Sequence, residues 1–184
     1  MMGTLKTGLF EIFREYLLNS GVPEKNMILL SLDDDINESY RDPGKLSAYV
    51  RERATDSSQK YYVLIDEIQH AISKEEMTEK DAPVRLYGVL DGFLHMKNVD
   101  VYVTGSNSKM WSKDISTEFR GRGDAVRVYP LSFAEYYSAA NLDKTDAYNE
   151  YSMYGGMPYL FKLNTDEDKF QYLSDLFEEI FFNM

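Results

Sequence analysis

The chain has 184 residues, 43% hydrophobic and 28% charged, enough for a compact fold with a real core. The absence of cysteine excludes disulfides, Cys-ligated zinc and thiol catalysis, and no apolar run approaches the ~20 residues of a membrane span. A net charge of −11 disfavours nucleic acid as a partner of the chain as a whole, and the start lacks the ordered regions of a signal peptide, so a cytoplasmic protein is expected.

In chain order, Leu5 to Asn19 carries Leu9, Phe10, Ile12, Phe13, Tyr16, Leu17 and Leu18 at helical spacing, with Gly21 and Pro23 supplying the stop. Met27 to Leu32 is a short apolar run that ends in Asp33, Asp34 and Asp35 and predicts a buried strand. Pro43 to Arg53 predicts a helix with Leu46, Tyr49 and Val50 on one face. Tyr61 to Ile65 predicts a second strand, ending in Asp66 and Glu67. Val84 to Met96 is helical in pattern, and Val99 to Thr104 predicts a third strand that leads into Gly105, Ser106, Asn107 and Ser108. Ala125 to Tyr129 predicts a fourth, closed by Pro130. Ser132 to Ala140 predicts a helix with Ser132 as N-cap and Glu135 three residues on. Gly155 and Gly156 predict a turn, and Asp166 to Phe182 a last amphipathic helix.

Continuous apolar strands alternating with helices predict an α/β fold, a parallel sheet with helices on both faces. The expected division is an α/β core over 1–131 and a helical segment over 132–184. In such sheets chemistry sits at the carboxyl ends of the strands, where this chain places its unusual residues.

A strand that drops two acids at its end can aim one at a magnesium ion and the other at a water. Mg²⁺ keeps several waters and takes one or two carboxylates plus substrate phosphates. Asp66 is therefore the candidate metal residue, acting through water, and Glu67 the candidate that orients and polarises the attacking water. The bland alternative is a strand that ends in solvated acids. Ser106 or Asn107 at the end of the next strand could hydrogen-bond that water or a terminal phosphate, against an ordinary Gly-Ser-Asn turn. Arg120 and Arg122, in FRGRGD, carry planar donor forks suited to phosphate, against a loop whose arginines balance acids.

LIDEIQ, VTGSNSKM, EFRGRG, VYPLSFAEYY and YGGMPYL, in this order, resemble a prokaryotic AAA+-type P-loop ATPase family. Its members pair a P-loop domain and a helical lid with a C-terminal domain resembling a restriction-type nuclease. The resemblance implies ATP and Mg²⁺, Asp66 and Glu67 as a Walker B pair, Ser106-Asn107 at the sensor-1 position, and Arg120 and Arg122 in the family's RGR segment. It also implies a three-layer P-loop NTPase-like sheet with residues 132–184 as lid.

The phosphate loop departs from that pattern. GxxxxGK[ST] needs glycines so that backbone N–H groups cradle phosphates, and a lysine to reach them. Here Gly3-Thr4-Leu5-Lys6-Thr7 offers Lys6 and Thr7 as a remnant of the Lys-Thr pair, Thr7 as a second metal residue, with Leu5 where glycine should stand and no strand before it. The competing reading is a helix start with an incidental lysine. The expectation is a chain truncated at both ends, weak or inactive alone, whose sheet lacks the Walker A strand. Such a sheet would close its gap with another strand or by self-association. Two other readings are a protein-interaction module for an unknown client, built on the same scaffold, and a two-metal hydrolase using Asp33, Asp34, Asp35, Asp66 and Glu67. His70 and His95 are isolated, and structural roles are expected for them.

Overall fold

The structure, a computed structural model, describes residues 3–78, 83–105, 123–126 and 128–182. It divides into two compact units: Lys6–Ala125, and Val126–Met184 together with Met1–Leu5.

In the larger unit, helix α1 (Gly3–Asn19) stops at Gly21, whose φ of 86° is open to glycine at no steric cost. There the Val22 N–H donates to the Leu17 carbonyl (3.0 Å) and the Gly21 N–H to that of Leu18 (3.0 Å). Buried Asn26 then ties the entry of the first strand to that of the second, its Nδ2 donating to the Lys60 carbonyl at 3.0 Å.

Strands β1 (Met27–Ser31), β2 (Tyr61–Asp66) and β3 (Val99–Val103) form a parallel sheet in the order β1-β2-β3. The register pairs Ser31 with Asp66, Leu64 with Tyr102 and Ile65 with Val103. β2 is central, and Val63, Leu64 and Ile65 are fully buried, as a strand covered on both faces requires. One face presents Ile28, Leu30, Val63, Ile65 and Val99 to Leu46 and Val50 of α2 (Pro43–Arg53) and to Leu86, Leu90 and Phe93 of α4 (Arg85–Leu94). Period-2 alternation puts Tyr62, Leu64, Asp66 and Tyr102 on the opposite face. There Phe13 of α1 packs on Tyr102, ring centroids 4.7 Å apart.

The helix starts are set by acids. Asp42 caps α2 by accepting the Lys45 N–H at 3.0 Å; that bond, helped by Arg85 at 3.4 Å, holds its carboxyl below the usual aspartate value. Glu76, in the short α3 (Lys74–Thr78), accepts the Ser73 N–H at 2.8 Å and, through its other oxygen, the Arg85 N–H at 2.9 Å. One carboxylate thus pins the starts of α3 and α4.

The fourth predicted strand is not formed among the described residues. Ala125, Val126, Val128 and Tyr129 have no strand pairing, and all four are exposed. An apolar run becomes a strand only where a neighbour takes its backbone N–H and C=O groups, and no described residue pairs with this one. β1 and β3 are therefore the edges of the described sheet, and no gap between strands arises in it.

The second unit is helical: α5 (Phe133–Ala139), α6 (Lys144–Tyr154) and α7 (Asp166–Phe182). Ser132 and Glu135 form the expected capping box, which holds the Glu135 carboxyl below the usual glutamate value. Aromatic rings bind the helices: Phe133 lies 5.5 Å from Tyr151 of α6, and Tyr136 stacks on Phe161 at 4.8 Å. Tyr154 is buried, and burial, with the Asp166 and Glu150 carboxylates adding, pushes its phenol up to about 12. Gly155, with φ 76°, ends α6, and a Cβ at Gly156 would come within 2.0 Å of the Leu131 carbonyl oxygen. That close approach lets the Leu131 N–H donate to the Gly156 carbonyl at 2.8 Å.

Candidate functional site

The carboxyl edge of the sheet brings Asp66, Glu67 and Thr104 together. The pairing of Leu64 with Tyr102, continued two residues, sets Thr104 beside Asp66 on the same face. The Thr104 hydroxyl donates to Asp66 Oδ1. The Glu67 N–H points into the same pair, 3.1 Å from Asp66 Oδ1 and 3.3 Å from Thr104 Oγ1. The Gln69 side-chain amide donates to Glu67 Oε2.

Both acids are buried, Asp66 at 4% exposure and Glu67 at 8%. Glu67 also has φ 52° and ψ 48°, the left-handed region, and among the described residues no other non-glycine has positive φ. That conformation costs an L-residue roughly 1–2 kcal/mol. The chain leaves β2 by a sharp turn at Glu67 into a 3₁₀ segment (Ile68–Ala71), with Ile68 and Ala71 buried beneath it. The turn keeps the Glu67 carboxylate at the sheet's rim rather than continuing along the strand.

The end of β1 looks different. Asp33, Asp34 and Asp35 are all exposed. Asp34 accepts the Ile36 N–H at 3.1 Å as the cap of a 3₁₀ segment, and Asp33 accepts the Ser31 hydroxyl at 2.7 Å. Arg41 donates through Nε to the Leu32 carbonyl at 2.7 Å and through Nη2 to that of Asp33 at 3.0 Å. These are turn roles.

Of the residues singled out from sequence, Asp66 and Glu67 lie together at the rim. Lys6 and Thr7 fall in the opening turns of α1. Ser106, Asn107, Arg120 and Arg122 lie outside the described residues. Thr104 and Gln69 are the residues that sequence reasoning missed. His95 serves its own helix end, with Nδ1 2.8 Å from the Asp91 carbonyl oxygen.

Among the described residues no group of three or more His, Asp or Glu side chains could enclose a metal ion. That counts against the two-metal hydrolase. The donor set does fit Mg²⁺, which uses one or two carboxylates and fills its shell with water and substrate oxygens.

Residues 6–137 match a sequence family described as an AAA domain. The chain belongs to this AAA family. An AAA domain is a P-loop NTPase-like, ATP-binding module, and the parallel sheet flanked by helices agrees with it. The AAA chain is 29% identical to an uncharacterized protein of Haemophilus influenzae over 97% of its length, covering 42% of that protein. It is 28% identical to an uncharacterized protein of Methanocaldococcus jannaschii over 48% of its length, covering 23% of that one. The AAA chain therefore spans less than half the length of these relatives. No solved structure matches it. No described helix is long and apolar enough to cross a membrane.

Proposed function

We propose that the rim formed by Asp66, Glu67 and Thr104 is the magnesium and water side of an ATPase site, with Asp66 and Glu67 as the Walker B pair. The observation that supports this reading is the burial of both acids at the carboxyl edge, with Glu67 held in a strained backbone. Strain and buried acids persist where the surrounding structure over-determines them, most often at functional sites. Asp66 would hold Mg²⁺ through water, and Glu67 would orient and polarise the attacking water. Mg²⁺ held there would supply positive charge to offset that of the substrate phosphates. Ser106-Asn107 as sensor 1 and Arg120 and Arg122 as phosphate-facing cations complete the proposal.

The phosphate side is the weak half of the site. Lys6 and Thr7 at the start of α1 keep a helix terminus that attracts anions, without the glycine-flanked ring of N–H donors. Binding of Mg-ATP by this chain alone is therefore expected to be weaker than micromolar, and turnover slow or absent. In a longer cytoplasmic protein the domain would work with a helical lid and a nuclease-like domain of the kind the resemblance implies. Titration calorimetry with Mg-ATP, paired with a phosphate-release assay, tests this. Micromolar binding with turnover would overturn the degenerate phosphate loop. No Mg-ATP-dependent shift of the Glu67 and Thr104 amide resonances, even at millimolar nucleotide, would overturn nucleotide binding at this rim.

A second reading, a protein-contact module on the same scaffold, is favoured by one observation. In the unit after Val126, Tyr129 is 69% exposed, Phe170 53% and Phe177 54%. Exposed rings of this size are what protein partners or a second copy would cover.

A further inference from the structure

We propose that Thr104 is the positioning residue of this site, the side chain that fixes Asp66 and Glu67 in their working geometry. This rests on the reading of those two acids as the magnesium and water pair. Thr104 makes hydrogen bonds to four consecutive positions at the end of β2. Its N–H donates to the Ile65 carbonyl at 2.9 Å, and its hydroxyl donates to Asp66 Oδ1. Its hydroxyl oxygen lies 3.3 Å from the Glu67 nitrogen, and its carbonyl accepts the Ile68 N–H at 2.9 Å.

A hydroxyl has one hydrogen and two lone pairs. With the Glu67 N–H directed at the oxygen, the hydroxyl hydrogen is left for the carboxylate. Asp66 is thereby held through Oδ1, which accepts from both the Thr104 hydroxyl and the Glu67 N–H. The hydroxyl oxygen and the Thr104 carbonyl grip the N–H groups on either side of the Glu67 side chain. That grip compensates the left-handed φ of 52° and aims the Glu67 carboxylate. Thr104 acts through the two acids and touches no reacting atom in this scheme. It is also the residue where β3 hands over to Gly105.

The test uses Thr104→Val, which keeps the shape and both backbone bonds and removes only the hydroxyl, and Thr104→Ser, which restores the hydroxyl. Amide exchange at Glu67 and Ile68 is followed by NMR, and Mn²⁺ uptake in the presence of ATP by electron paramagnetic resonance. In Thr104→Val the Glu67 amide should exchange about fivefold faster, the change expected when it loses its bond to the neutral hydroxyl and keeps the one to Asp66 Oδ1. The Ile68 amide should hold its protection, and Mn²⁺ with ATP should bind about tenfold more weakly. Thr104→Ser should recover both. Unchanged exchange at Val63 and Leu64 certifies that the variants are folded. The proposal is overturned if Thr104→Val leaves Glu67 exchange unchanged, or if Thr104→Ser fails as badly as Val, which would make the role one of packing. If the unaltered chain takes up no Mn²⁺ with ATP, the metal reading falls by itself, and the exchange comparison still decides the hold of Thr104 on Glu67.

Discussion

Replacing Glu67 by glycine and, separately, by alanine isolates the backbone strain from the side chain. Glu67 sits at φ 52° and ψ 48°. Both substitutions delete the carboxylate and its contact with Gln69, so those losses cancel in the comparison. Alanine retains the left-handed cost of roughly 1–2 kcal/mol. Glycine sheds that cost but adds about 0.4–1 kcal/mol of conformational entropy to the unfolded chain. The ranges differ by about 0–1.6 kcal/mol, and their midpoints leave Glu67→Gly more stable than Glu67→Ala by about 0.8 kcal/mol, the reverse of the order at an ordinary helical position. For a chain of 184 residues this is a gap of about 1–4 °C in Tm. Because the chain folds as two compact units, a global signal would mix them. The stability is better read from the slowest-exchanging amides of Val63, Leu64 and Ile65 in β2. An alanine variant as stable as the glycine one would refute the strained turn, and with it the main physical ground for treating this rim as a site.

Glu76 gives the fold a pH dependence. Burial raises its carboxyl, but the N–H groups of Arg85 and Ser73 and the Ser73 hydroxyl outweigh that and hold it below the ordinary glutamate value. A folded value below the unfolded one means stability that is fully present above the ordinary value and lost as pH falls through the lowered one. Urea midpoints across the acid range should drop in that window, and Glu76→Gln should flatten the drop; an equally steep drop in Glu76→Gln would assign it elsewhere. For the protein-contact reading with a second copy as partner, the exposed rings at Tyr129, Phe170 and Phe177 predict a sedimentation coefficient that rises with concentration, and a strict monomer at all concentrations would refute self-association through them.

What was legible in the sequence followed signals carried by neighbouring residues. Pro43 to Arg53 has Asp42 before it as a cap and Pro43 at its first position, and the helix has those bounds. Ser132 with Glu135 states its capping box outright. α6 lies in the expected helical segment, but its thin stripe does not mark its bounds: in Lys144–Tyr154 only Ala147 and Tyr154 are buried, and the helix start is set by Asp143, which accepts the Thr145 N–H at 2.8 Å and the Asp146 N–H at 3.1 Å. The run Ala125 to Tyr129 misled for the opposite reason, since strand-like composition carries no information about a partner. Thr104 was invisible for a third reason. Its meaning lies in the register that pairs Leu64 with Tyr102, a relation between residues far apart in sequence.

β1 and β2 can be compared within one molecule. Each is a short apolar strand that ends in acids, and the sequence pattern alone treats them alike. At β1 the fold disposes of the acids as solvent and capping chemistry predict: all three are exposed, Asp34 closes a turn, and Arg41 covers the nearby carbonyls. At β2 it does the reverse. It buries Asp66 and Glu67, bends Glu67 into a conformation that other residues avoid, and lays Thr104 and Gln69 against them. Part of the difference is position, since β1 is an edge of the described sheet and β2 its centre. Position accounts for burial, but it leaves the left-handed backbone of Glu67 as a cost. The proposed role of the two carboxylates at the rim would account for that cost.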